Sequence, residues 1–501
     1  MTQYLMGIDN GGSEIKCVLF DDKGNQVAAA RRRVAMLMPA PGFTERDAEA
    51  VWSANIDAIR ETITLAGISP QQIVGVGLTG YGNGICLVDA FGKATYPCIV
   101  STDSRAASYC HSFRESGAER AIYPLTLQTT WSAQPAALLA WFRDNRPEVL
   151  ASSAYCLGIK DLIRFHLTGE FSTEITEASS TCLCNLHTRS FDPEIFRILG
   201  ISECFRLMPP CQESTAISGK VTTLAAERTG LHPGTPVVAG YFDIDAAALA
   251  SGVLDESMLC LVAGTWSINE YLSKTANTDY DRNANTVTLS YLPDHFLVED
   301  SSATSASNFD WFVENLLKPV YPSLSRKELY QQCDRLVSET DPEISQVVFI
   351  PYLFDSSTTS GAKAAFFNLS SEHTVQNLLL AVYEGVVFSS ALHIKRLRPP
   401  LGQFQFARLS GGVANSSVWA QIMTDVIQIP VEVLQNSELS AQGAAMAAGI
   451  GVGLFENHRD AVQKMVKIGR VFSPDPSRAA IYAQKFAAFE KALKALELFH
   501  S

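Results

Sequence analysis

No unbroken apolar run in this sequence is long enough to cross a bilayer. The longest, Gly443 to Phe455, has 13 residues rich in Gly and Ala, which suits a tightly packed buried helix. Positive charge is also scarce. Lys and Arg number 39 against 52 Asp and Glu, a formal net charge of −13, and the one basic cluster is Arg31-Arg32-Arg33. A nucleic acid or an anionic membrane needs clustered cations, so neither is expected as a partner. The 11 cysteines lack pairing or metal-site spacing, and the close pair Cys182-Leu183-Cys184 reads as alternating strand residues. Met1-Thr2-Gln3-Tyr4 leads directly into a strand with no export signal. Reduced thiols and a cytoplasmic address are the expectation.

What is present is a globular composition, 47% hydrophobic and 18% charged, in a chain long enough for two domains. Residues 4–34 read as three strands with turns at 10–13 and 21–25. Residues 47–67 read as an amphipathic helix closed by Gly67, and Ile73–Thr79 as a buried strand stopping at Gly80, Gly82 and Gly84. Strands and helices alternate to about residue 245, the signature of an α/β fold. The layout of residues 5–20 then recurs: a strand at 259–263, a small turn at Gly264-Thr265 and a second strand at 267–272. A weaker echo follows at 407–412, leading into a helix at 417–426.

Four stretches carry chemistry. In GIDNGGSEIKCVLFD, residues 7–21, Gly11, Gly12 and Ser13 bring backbone N–H groups close to whatever lies outside, and Asp9 stands at the mouth of the turn. An ordinary Gly-Gly hairpin explains the same residues. In VAGYFDIDAAALASG, Asp243 closes a strand before an Ala-rich helix, as a helix cap or as a general base; Asp245 fits the first helical turn better. LTGYGNGICLVD leaves two polar tips, Tyr81 and Asn83, among glycines. Asp103, Arg105 and Trp131 follow, a surface pair and an aromatic or the polar and aromatic groups of a polyhydroxyl site. LSGGVAN sets Gly411 and Gly412 at a strand-to-helix junction that admits a flat ring or a close crossing.

These pieces, in this order, resemble the FGGY carbohydrate kinases. The resemblance rests on DNGGSEIK, GYGNG with STDSR, GIKDLIRFHLTGEFSTEITEAS, GYFDIDAAA, GTWS, YEGVVFS, SGGVANSSVWAQIMTDV and GAAMAAGIGVG, and so covers the whole chain. It implies two actin-like, RNase H-like α/β domains, 1–245 and 246–501, flanking an ATP cleft. Asp9 then lies near Mg²⁺, through water. Gly11, Gly12 and Ser13 form a first phosphate loop, with Lys16 at a position the family fills with Arg or Lys. Gly264 and Thr265 form a second loop, and Gly411, Gly412 and Asn415 bind adenosine. Asp243 is the catalytic base, and Gly82, Asn83, Asp103 and Trp131 line the sugar site.

Several positions depart from the family pattern. Gly82-Asn83 replaces the Arg-Glu of glycerol kinases and the Met-His usual in xylulokinases, and no Gly-Glu-Arg follows Pro351-Tyr352-Leu353. The Ser-x-Asp-x-Arg run and Phe-Asp base segment resemble the L-xylulose and 3-keto-L-gulonate kinase branch. The implied substrate is a ketopentose or ketohexonate, with D-xylulose, gluconate, erythritol or glycerol as alternatives. A non-catalytic actin-like sensor or scaffold is the rival from another class. The helical run 478–499 packs on its own domain or meets a second subunit, as in a homodimer.

Overall fold

The computed structural model describes every residue except 1, 283–285, 303, 355–360, 398–401 and 501. The chain forms two compact units. The first comprises residues 1–254, 272–297 and 438–466, the second 255–271, 298–437 and 467–501. The break therefore falls nine residues beyond the expected 245/246, and each unit recruits chain from beyond it. The helix Asp243–Ala250 stays with the first unit, its residues from Ile244 onward all buried.

In the first unit the central strand is Tyr4–Asn10. It pairs antiparallel with Ile15–Asp21, which pairs antiparallel with Gln26–Arg32, and on its other edge it pairs parallel with Ile73–Gly80. Pro236–Val238 and Tyr241–Phe242 extend the sheet beyond Ile73–Gly80. The helix Ala48–Ala66 begins where the Asp47 side chain accepts from the Ala50 N–H and ends at Gly67 in the left-handed conformation. Its buried residues Val51, Trp52, Asn55, Ile56, Ile59 and Thr62 recur at helical spacing, so one face supplies the core. The late segment returns as the helix Leu439–Gly451, all but hidden against the sheet. Its small side chains permit backbone contact: a Cβ on Gly77 would stand 1.8 Å from the carbonyl oxygen of Ala444.

The second unit repeats this topology. Met258–Ala263 pairs antiparallel with Ser267–Ser273 and parallel with Phe406–Ser410, which pairs parallel with Val431–Leu434. The recurrence seen in the sequence is thus a recurrence of strand order. The helix Val375–Leu397 is, by length and composition, the one described helix apolar enough to cross a membrane. Its most apolar window is 72% buried inside the protein, so it is a core helix. The final helix Ala479–His500 buries Tyr482, Phe489, Leu493 and Leu496 in the same unit, with Lys485 Nζ 2.6 Å from Glu384 Oε1.

Two readings of the cysteines change. Cys86 and Cys98 are joined as a disulfide, their Cα atoms 4.4 Å apart, so not every thiol is free. Their pairing was invisible in sequence because it depends on the bridge between Ile85 and Ile99 that sets the two side by side. Cys182 is not in a strand: it occupies a turn with φ +61°, and the short strand starts at Cys184.

Candidate active site

Within the first unit, the hairpin 11–14 is closed by the Gly11 N–H donating to the Glu14 carbonyl at 3.1 Å. The N–H groups of Gly12 and Ser13 meet no acceptor among the described residues, and a Cβ at Gly12 would meet nothing within 4 Å. Asp9, one strand residue before Asn10, pairs in register with Lys16 across the hairpin. Its side chain is buried and Oδ1 has no hydrogen-bond partner. Burial pushes its carboxyl up to about 6, with Lys16 opposing and Glu438 reinforcing the shift. A carboxylate so placed gains from a cation nearby, which fits a hydrated Mg²⁺ held mainly by water and phosphate oxygens. Lys16 itself is 3.1 Å from Glu438 Oε2, and Arg31 also pairs with Glu438, so Lys16 is anchored rather than free.

The loop after Ile73–Gly80 lies in the same unit. Gly82 is pressed against the Phe242 ring; a Cβ there would stand 2.1 Å from the ring edge. Asn83 adopts φ +64° and is buried, with Oδ1 unpartnered. Beneath the loop is a wholly buried charge cluster. Lys160 Nζ lies 2.8 Å from Asp161, 3.4 Å from Glu174 and 3.7 Å from Glu177. Arg164 pairs with Asp161 at 2.8 Å. Burial pushes Glu177 up to about 8 although Lys160 opposes it. Its carboxyl accepts from the Asn83 backbone and packs on Gly158. Sequence reading missed this cluster because its members, from Lys160 to Glu177, are spread over two helices and the short strand between them, and their common burial has no local signature.

Asp103 differs from expectation. Oδ1 accepts from the Arg105 N–H and Nε, and Oδ2 accepts from Arg105 and from the Thr44 N–H at 2.6 Å. Four donors fill the carboxylate, which is 1% exposed, so no lone pair remains for a sugar hydroxyl. Arg105 also reaches Glu45 at 2.7 Å and lies 4.0 Å over the Phe43 ring. The pair is therefore a buried brace for residues 43–46, not a surface pair. Trp131 is 37% exposed, and its neighbour Ser132 donates to the Asp103 carbonyl at 3.1 Å, while the Gly84 N–H donates to the Ala133 carbonyl. The 82–84, 103 and 131–133 segments are thus tied together.

Asp243 opens the helix Asp243–Ala250 directly after Phe242, whose N–H is fixed by Thr176 Oγ1 at 2.9 Å. Asp245 is fully buried and accepts from the Tyr291 N–H at 3.1 Å, a structural role.

In the second unit, Gly264 and exposed Thr265 form the turn between Met258–Ala263 and Ser267–Ser273. Gly411 has φ +87°, and a Cβ on it would fall 2.6 Å from the Ala263 carbonyl group. The two glycine turns are therefore adjacent backbones with bare surfaces. Asn415 ends the short turn Val413–Asn415 and is exposed, and Arg470 secures that turn through the Ala414 carbonyl and Ser417 Oγ at 2.8 Å. Of the 351–357 stretch, residues 355–357 lie outside the described residues.

Comparison with known proteins gives the family. The N-terminal domain of the FGGY family of carbohydrate kinases matches residues 4–250, and its C-terminal domain matches residues 259–452. The chain is 33% identical over 503 residues to the L-xylulose/3-keto-L-gulonate kinase of Escherichia coli, covering 100% of this chain and 99% of that protein. It is 34% identical over 495 residues to a probable L-xylulose kinase of Pasteurella multocida, covering 99% of each. Among solved structures, xylulose kinase from Rhodospirillum rubrum superposes with a TM-score of 0.88 at 27% identity, covering 99% of this chain and 100% of that one. Gluconate kinase from Lactobacillus acidophilus shares the fold, with a TM-score of 0.90 at 20% identity over 100% and 99% of the two chains. This chain belongs to the FGGY family of carbohydrate kinases, enzymes that use ATP as phosphate donor.

Proposed function

We propose that this kinase phosphorylates a hydroxyl of a five- or six-carbon ketose or ketonic acid, L-xylulose or 3-keto-L-gulonate being the substrates that fit best. The observation that carries the substrate class is full-length identity of 33% to a relative of that name. The first unit supports it: Asn83, next to the Gly82 that packs on the Phe242 ring, offers a buried amide oxygen with no internal partner. A polyhydroxyl ligand donates to such an oxygen.

In this reading Asp243 is the base. Its carboxylate, at the start of the helix Asp243–Ala250, accepts the proton of the attacking hydroxyl as the oxygen bonds to the γ-phosphorus of ATP and the ADP oxygen leaves. The open N–H groups of Gly12 and Ser13 hold phosphate oxygens, and so does the exposed Thr265 turn, which the Gly264 N–H closes by donating to the Trp266 carbonyl at 3.0 Å. Asp9, through water, would hold Mg²⁺, which when bound neutralises charge on the phosphates. Gly411, Gly412 and Asn415 take the adenosine. Trp131 borders the sugar, and Asp103 acts through the loop it braces.

Release of ADP from Mg-ATP, measured across ketopentoses, ketogulonate, gluconate, erythritol and glycerol, tests the reading. One ketose or ketonate should stand well above the rest. Preference for glycerol or erythritol would overturn the substrate class.

A further inference from the structure

Arg46 stands directly behind the hairpin 11–14. Its guanidinium donates to the Gly11 carbonyl at 3.2 Å and to the Gly12 carbonyl at 2.5 Å, and the residue is 2% exposed. Its Nε is buried with no hydrogen-bond partner, and no carboxylate lies within ion-pair distance among the described residues. Buried cations are ordinarily matched by an anion, so this one is left with two neutral carbonyls and the face of Tyr81, 6.0 Å away. The missing counter-charge has a place to come from. The same two peptide units that turn their carbonyls toward Arg46 leave the N–H groups of Gly12 and Ser13 open on the far side.

Arg46 is held firmly. It lies in the two-residue strand Glu45–Arg46, paired in register with Cys98, which is bonded to Cys86. The next residue, Asp47, caps the helix Ala48–Ala66. On the other side, Glu45 accepts from Arg105, which is clamped by Asp103.

We propose that Arg46 is a positioning residue for ATP: it locks the hairpin carbonyls inward and supplies the buried positive charge that the nucleotide's phosphates neutralise. The inference rests on the reading of hairpin 11–14 as a phosphate loop. It adds a function for a residue whose side chain touches the loop and not the ligand. A planar fork is required, since two carbonyls on successive residues are bridged at once, and a lysine ammonium lacks that geometry.

Arg46→Gln and Arg46→Lys in the full-length enzyme provide the test, with steady-state kinetics for both substrates, thermal unfolding without nucleotide, and the Kd of a fluorescent ATP analogue. Arg46→Gln should raise KM for Mg-ATP and the analogue's Kd at least tenfold and leave the sugar KM within twofold. Arg46→Lys should recover part of the loss, and millimolar guanidinium should partly rescue Arg46→Ala. Equal rises in both KM values, or unchanged nucleotide affinity in a folded variant, would overturn the proposal. A wild-type enzyme that binds the analogue but transfers no phosphate would refute the kinase reading of the site, and the binding arm would still decide the role of Arg46.

Discussion

Gly7 and Ala441 are in backbone contact although 434 positions separate them: a Cβ on Gly7 would lie 1.8 Å from the Ala441 carbonyl oxygen. Gly12, five residues on, has open space where its side chain would be. Gly7→Ala should destabilise the first unit by about 3 kcal/mol or more, because the obstruction is backbone and cannot rotate away. Gly12→Ala should unfold at the wild-type temperature yet lose ATP affinity, because its bare surface serves a ligand. Thermal unfolding of the two variants side by side checks this.

Asp9 carries a second prediction. It is an acid whose carboxyl is raised in the folded state from 3.8 to about 6, so between those values the folded protein binds more protons than the unfolded chain. Stability without nucleotide should therefore fall as pH rises from 4 to 6, and the full penalty, on the order of 3 kcal/mol, should persist above 6. Asp9→Asn should raise the unfolding temperature at pH 7.5 while abolishing phosphoryl transfer. A variant less stable than wild type at that pH would contradict the burial argument.

For Asp243 the expected outcome is separation of binding from chemistry. Asp243→Asn should lower kcat by about 10²–10⁴-fold, the usual contribution of a general base, with nucleotide affinity within twofold of wild type. Parallel loss of both would make the residue structural.

Asn83 allows a clean dissection because its φ of +64° suits glycine. Asn83→Gly should keep the loop and remove only the amide, raising the sugar KM about tenfold with KM for ATP unchanged. Asn83→Ala adds backbone strain and should also lower stability. If Asn83→Gly leaves the sugar KM untouched, the amide does not meet the substrate.

How much of this was legible beforehand depended on range. The helix at 47–67 was readable because Asp47 and Gly67 cap it locally, and it runs Ala48–Ala66. The strands at 4–10, 15–21 and 26–32 followed from alternation and turns. The role of Asp103 was not readable, because its saturation depends on Thr44, 59 positions earlier. The buried cluster at Lys160 and the exposed-looking Arg46 escaped for the same reason: their burial is set by segments distant in the chain.

By itself, then, the sequence determined the alternation of strands and helices, the two glycine-rich turns with their echo, and membership in a kinase family, since each depends on neighbours within about 20 residues or on motif order. Tertiary structure alone decided that residues 438–466 close the first unit, that Asp103 is a brace, that Cys86 meets Cys98, and that an unmatched arginine stands behind the phosphate hairpin. Those facts arise where distant segments exclude water together, and burial and charge compensation have no local signature.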